Sequence, residues 1–166
     1  DTPFISPETL DVLAAHPSDV VVLGFEAADP GRYGRLGTGP DGRERIVEYK
    51  DADEATRAIR LGNSGVVAAD AATLREFLPM IGNRNAAGAY YLTDLPGLAR
   101  AAGLRVDVVT CPEDETLGIN TRAELAQAEA AFQARSRAQA LENGVTLSDP
   151  ATVWFALDTV IGRDAI

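Results

Sequence analysis

The densest run of groups able to do chemistry lies between Tyr33 and Ala52, where Gly34, Glu48 and Lys50 are spaced around a Gly- and Asp-rich turn. A glycine has no Cβ to bar a ligand from its backbone N–H, so Gly34 is a candidate close-approach point. Glu48 ends an apolar strand, where a carboxylate can accept sugar hydroxyls, and Lys50 follows on the same face of an extended chain. Oxygen ligands lie elsewhere, at Asp1 and at Asn120 in Leu117-Gly-Ile-Asn-Thr-Arg122. One carboxylate and one carboxamide make a poor closed cage. They suit Mg²⁺, which keeps waters and takes its remaining ligands from substrate phosphates. Taken singly, these residues favour plainer roles. Asn120 reads as a helix-flanking turn residue, Asp1 as a solvated terminus, Glu48 and Lys50 as a solvated pair on an edge strand, and Asn63 in Gly62-Asn-Ser-Gly65 as a turn.

Nucleophilic and phosphate-loop chemistry has little to stand on. Cys111 is the single cysteine, beside Pro112 at the end of an apolar run, and reads as buried and structural. His16 is the single histidine and sits where a helix stops, so a cation near a helix C-terminus is its expected role. Gly34, Gly37 and Gly39 do not match G-x-G-x-x-G, and neither G-x-x-x-x-G-K-[ST] nor G-x-S-x-G occurs.

A length of 166 residues fits one domain, or one with a short appendage, and 46% apolar residues can bury a core. The net charge of −10 argues against nucleic acid, since no basic stripe can displace counterions from phosphate. The start, Asp-Thr-Pro-Phe, has no signal-peptide character, and no run approaches the ~20 apolar residues of a membrane span. With one cysteine and an acidic surface, the expected setting is cytoplasmic.

The elements that must position these residues are α/β in order. Ser6-Pro7-Glu8 starts a helix that ends near His16-Pro17. Val20–Phe25 reads as a strand buried on both faces. Tyr33–Leu36 and Arg45–Tyr49 flank a hairpin loop at Gly37–Gly42, and Asp51–Ile59 is a short helix. Gly65–Ala69 is a strand, Ala71–Leu78 and Tyr91–Ala102 are helices, and Leu104–Thr110 is a strand, giving a mixed sheet. Thr121-Arg-Ala-Glu124 is a capping box opening one helix, ~30 Å long, with a thin stripe at Leu125, Ala128 and Phe132. Val145–Ile166 reads as short strands, ending in a single aliphatic-glycine hexapeptide rung at Val160–Ile166.

Five segments in this order resemble the motifs of sugar nucleotidyltransferases, and closest among them the bacterial bifunctional uridyltransferase–acetyltransferases. Asp1-Thr-Pro-Phe is similar to G-D-x-P-L with its glycine cut off, and Asp29-Pro-Gly-Arg-Tyr-Gly-Arg35 to D-D-P-x-x-Y-G-R. Arg45-Ile-Val-Glu-Tyr-Lys-Asp-Ala52 resembles R-I-V-E-x-K-D-A, Asn85–Asp94 resembles N-A-Q-G-E-Y-Y-L-T-D, and Gly118–Arg122 resembles G-V-N-x-R. The resemblance implies the C-terminal part of a Rossmann-like nucleotidyltransferase domain at 1–120. A connecting helix would follow at 121–144 and the start of a left-handed β-helix at 145–166.

It implies that Asp1 and Asn120 hold Mg²⁺ and that Gly34, Glu48, Asn63 and Asn120 line the substrate site. The reaction implied is UTP plus N-acetylglucosamine 1-phosphate giving UDP-N-acetylglucosamine and pyrophosphate, a step in cell-wall precursor synthesis. It also implies a homotrimeric parent, a fragment that is monomeric and inactive alone, and an acetyltransferase site beyond Ile166. The family's Gly-rich phosphate loop, its lysine and its uracil contacts lie upstream of Asp1. Ala89 stands where the motif has Glu, and Gly62-Asn-Ser-Gly65 stands for I-N-T-G, which leaves the sugar preference open. The alternatives are a non-catalytic domain that binds sugar nucleotide or only assembles, and a nucleotidyltransferase for another sugar 1-phosphate.

Overall fold

The computed structural model describes residues 2–38 and 44–166, which fall into two compact units, Thr2–Leu117 and Gly118–Ile166. Most of the expected loop at Gly37–Gly42, and Asp1, lie outside the described residues.

The first unit is built on five strands, β1 (Val20–Glu26), β2 (Arg35–Thr38), β3 (Glu44–Val47), β4 (Leu61–Ala69) and β5 (Val106–Cys111). Their order is β3-β2-β4-β1-β5, with β1 antiparallel to β4 and parallel to β5, so the sheet is mixed as expected. Burial of every β1 residue from Val20 to Phe25 follows from its uninterrupted apolar run. Side-chain alternation divides the strand between two cores. Val20 packs with Phe77, Leu95 and Ala99 on one face, and Val21 and Leu23 pack with Leu13 on the other.

The helices cover both faces and carry local caps. The Ser6 hydroxyl accepts from Thr9 N–H to open α1 (Pro7–Ala15), and Asp53 and Asp70 do the same for α2 (Glu54–Arg57) and α3 (Ala71–Phe77). The helix expected over Tyr91–Ala102 is shorter. Leu92–Asp94 form a 3₁₀ turn and α4 spans Leu95–Ala101. Pro96 explains this: it lacks an N–H and its ring would meet the carbonyl of Leu92 in a continuous helix, so it is tolerated only in a first turn. His16 is the residue that closes α1: its backbone N–H donates to Leu13 O at 3.4 Å and its Nδ1 accepts from Ser18 N–H at 3.3 Å.

Two stretches read as turn and strand change places. β4 starts at Leu61, so Gly62-Asn63-Ser64-Gly65 is strand, not turn. The register slips opposite Leu23, where Val22 faces Val67 but Gly24 faces Asn63. The Ser64 hydroxyl donates to the Leu23 carbonyl at 2.7 Å, and Gly65 takes φ +85°, so the extra residues are absorbed as a bulge. Conversely β3 stops at Val47 and Asp51 N–H donates to Glu48 O at 3.0 Å, so Glu48–Asp51 is a turn. Strand alternation therefore does not put Lys50 on the Glu48 face.

The second unit is α5 (Arg122–Glu142) with the chain after it folded back along it. The capping box forms as expected between Thr121 and Glu124. Ala128 is buried but Leu125 is 54% exposed, and the buried residues after it are Gln133 and Ala140, so the apolar stripe is not the expected one. Short strands were expected over Val145–Ile166. Among the described residues that segment holds none, only a 3₁₀ turn at Pro150–Thr152 and loops. A single rung has no neighbouring rung to pair with; Asp164 N–H donates to Gly144 O and Ala165 O accepts from Thr146 N–H, and the stretch before the rung is held by α5 side chains. Gln133 donates from Nε2 to Phe155 O and accepts at Oε1 from Phe155 N–H, both at 2.8 Å, and Arg137 Nε donates to Val153 O at 2.9 Å. No helix among the described residues is long and apolar enough to cross a membrane.

Candidate functional site

Three of the residues singled out from sequence converge in the first unit. Asn63 N–H donates to Gly34 O at 2.9 Å, tying the turn before β2 to β4. A Cβ placed on Gly34 would stand 3.6 Å from Glu48 Oε1 and 3.4 Å from Ile46 Cγ2, so Glu48 lies directly against that glycine. Gly34 and Asn63 are both buried, and the Asn63 carboxamide oxygen accepts from Gly65 N–H at 3.2 Å. Glu48 instead faces open space. It lines a cleft of about 420 Å³ with Asp51, Tyr91, Thr93, Arg45 and Arg84.

The backbone that carries Gly34 and Glu48 is fastened by two arginines. Arg35 is 1% exposed, and its guanidinium donates to Arg57 O (3.2 Å), Gly31 O (2.9 Å) and Tyr33 O. A buried guanidinium meets its demand for acceptors here with main-chain carbonyls of the Gly31–Tyr33 turn and of α2. Arg57 in turn lies over the Tyr49 ring at 4.6 Å and donates to Tyr49 O at 3.2–3.3 Å, next to Glu48. Tyr33 packs edge-on against Phe25, with centroids 4.9 Å apart.

The far wall of the cleft is the Asn85–Asp94 loop. Thr93 Oγ1 donates to Glu48 Oε1 at 2.9 Å, and Ala86 N–H donates to Asp51 Oδ1 at 3.0 Å. The Asn85 side chain closes the loop on itself, accepting from Ala87 and Ala89 N–H and donating to Ala89 O. Desolvation, with the carboxylates of Asp51, Glu48 and Asp94, pushes the Tyr91 phenol up. Burial, with Asp51 facing it, pushes the Asp94 carboxyl above the usual carboxylate range. A cleft that offers carboxylate acceptors, a hydroxyl and two arginines is equipped to take a polyhydroxylated anion: acceptors for the hydroxyls, guanidiniums for the charge.

Asn120 belongs to the second unit, where its backbone N–H donates to Glu124 Oε2 at 2.7 Å and its side chain is exposed. An exposed carboxamide oxygen fits one place in a largely hydrated Mg²⁺ shell. Among the described residues no group of three or more His, Cys, Asp or Glu could hold a metal on its own. Cys111 is half-buried with Sγ 3.7 Å from Gly24 O, and burial together with Glu115 pushes its thiol up, away from nucleophile chemistry.

Thr93, Arg35, Arg57 and Asp51 are the site residues that reading by type and spacing did not assign. Each stands inside or beside a motif already singled out. Their roles become visible only when the partner from another element is in place.

No protein-family model matches the chain. Along its whole length it is similar to curated proteins named bifunctional protein GlmU. The one from Paracoccus denitrificans is 83% identical over 166 residues, that from Dinoroseobacter shibae 63% over 98% of the chain, and that from Roseobacter denitrificans 61% over the whole chain. The chain spans 37% of the length of each of these relatives.

Proposed function

From the premise that this chain is homologous, end to end, to one stretch of the bifunctional GlmU proteins, we propose that it forms the sugar-side wall of a uridylyltransferase site. The substrates are UTP and N-acetylglucosamine 1-phosphate, and the products UDP-N-acetylglucosamine and pyrophosphate. The observation that carries this reading is that Glu48 and Asn63, from two separated motifs, both meet Gly34 of a third, with Glu48 lining a polar cleft beside them.

In this reading Glu48 accepts a hydroxyl of the sugar, Gly34 leaves room for it, and Asn63 holds Gly34 in place through its backbone. Arg45 and Arg84 answer the phosphate charge. The reacting oxygen of the sugar phosphate is thereby held for in-line attack on the α-phosphorus of UTP, so the protein's contribution is orientation. Asp1 and Asn120 would hold Mg²⁺, which when bound neutralises phosphate charge. The setting is cytoplasmic synthesis of cell-wall precursors, in a parent that assembles as a homotrimer.

The test is pyrophosphate release by the protein at its natural length, given Mg²⁺, UTP and N-acetylglucosamine 1-phosphate, with dTTP and glucose 1-phosphate as competitors. Turnover with the named pair that falls at least about tenfold in Glu48→Ala, at unchanged melting temperature, supports the reading. Binding of the sugar nucleotide without turnover favours the non-catalytic alternative. Preference for another sugar 1-phosphate overturns the substrate assignment.

A further inference from the structure

Glu48 and Asp51 close one tight turn, Asp51 N–H to Glu48 O at 3.0 Å, and their carboxylates take hold of the two ends of the facing loop. Ala86 N–H meets Asp51 Oδ1 at 3.0 Å and Thr93 Oγ1 meets Glu48 Oε1 at 2.9 Å. Between those anchors the Asn85 side chain makes the Asn85–Ala89 turn a closed unit, so a force at Ala86 is carried through it instead of being lost in loose chain. Tyr91, in the middle of the span, senses both carboxylates.

We propose that Asp51 is a positioning residue: by accepting from Ala86 N–H it sets the Asn85–Asp94 loop so that Thr93 engages Oε1 of Glu48 and leaves Oε2 as the acceptor presented to a sugar hydroxyl. The proposal rests on the sugar-site reading above. Asp51 itself need not touch the substrate. Its requirement is geometric, an oxygen acceptor at that place, and the negative charge is secondary because Ala86 N–H is a neutral donor.

Two substitutions separate acceptor from charge. Asp51→Asn keeps an oxygen at Oδ1, and Asp51→Ala removes it. In the protein at its natural length, Asp51→Ala is expected to raise KM for N-acetylglucosamine 1-phosphate about tenfold while KM for UTP stays within about twofold. Amide exchange across residues 86–93 should accelerate in the same variant, and Asp51→Asn should restore both readouts to within about threefold of wild type. Faster exchange with an unchanged sugar-phosphate KM overturns the link to Glu48. Equal impairment in Asn and Ala variants overturns the acceptor argument, and parallel loss for both substrates makes Asp51 merely structural. The sugar-site reading fails separately, if the wild-type protein shows no dependence on N-acetylglucosamine 1-phosphate. The exchange data still report on the clasp in that event.

Discussion

Thr93 donates its hydroxyl to Glu48 Oε1 at 2.9 Å, and this bond joins the end of β3 to the turn before α4. It commits one carboxylate oxygen of Glu48 and leaves the other as acceptor. Thr93→Ser keeps the donor and is expected to retain sugar-phosphate KM within about threefold. Thr93→Val keeps the volume, loses the donor, and should raise that KM about tenfold with little change in melting temperature. Steady-state kinetics on the two variants decide it, and equal behaviour of Ser and Val would dismiss the hydrogen bond.

Gly34→Ala separates fold from site. The new methyl would meet its neighbours at 3.4–3.6 Å, ordinary contact distance, and Gly34 has no positive φ to lose. Stability should stay within about 1 kcal/mol while sugar-phosphate binding weakens, because the methyl sits against Glu48. Gly62→Ala is the opposite control. Its Cβ would stand 2.8 Å from Phe25 Cζ, so a stability loss of about 1–3 kcal/mol is expected by denaturant titration.

Arg35→Ala empties a buried site and strands carbonyls of Gly31, Tyr33 and Arg57. A loss of about 3 kcal/mol is expected, since a buried side chain and its hydrogen bonds to three main-chain carbonyls are lost together. Arg35→Lys should recover only part of it, because an ammonium cannot spread its donors in the plane of a guanidinium. Thermal melts of the two variants check this, and full recovery by lysine would refute it.

Acid should loosen the helix starts. Backbone N–H groups of Asn120 and Thr121 hold Glu124 below its ordinary range, and hydrogen bonds from Thr56 and Thr73 do so for Asp53 and Asp70. A carboxylate whose folded pKa is depressed contributes stability that is present above its unfolded pKa and is lost as pH falls through the folded value. Asp94 has the opposite sign, being raised by burial and Asp51, so its protonation on acidification relieves an unfavourable charge. Stability should therefore hold or rise slightly on approach to about pH 4–5 and fall below about pH 4 as the caps protonate. Melting curves between pH 3 and 7 test this, and Asp94→Asn should abolish the rise alone.

Gln133→Ala probes the second unit. It removes both bonds to Phe155 and one to Glu129, and should cost about 2 kcal/mol with faster amide exchange at Phe155. Unchanged exchange at Phe155 would show that the returning segment is held by Arg137 instead.

What the sequence by itself determined is what depends on neighbours along the chain. Ser6, Asp53, Asp70 and Thr121 each cap a helix through a group three residues on, and the run Val20–Phe25 has one way to be buried. The motif order likewise marked Gly34, Glu48 and Asn63 before any contact was known. Only the tertiary structure decided that Asn63 is strand, because a bulge opposite Leu23 and a serine hydroxyl from the same strand had to be in place. Only it joined Thr93 and Asp51 to the site, because their partners come from another element and leave no trace in local spacing. The same reason took the strands away from Val145–Ile166. Strand propensity needs a neighbour to pair with, and here Gln133 and Arg137 of α5 take the backbone of Phe155 and Val153 instead.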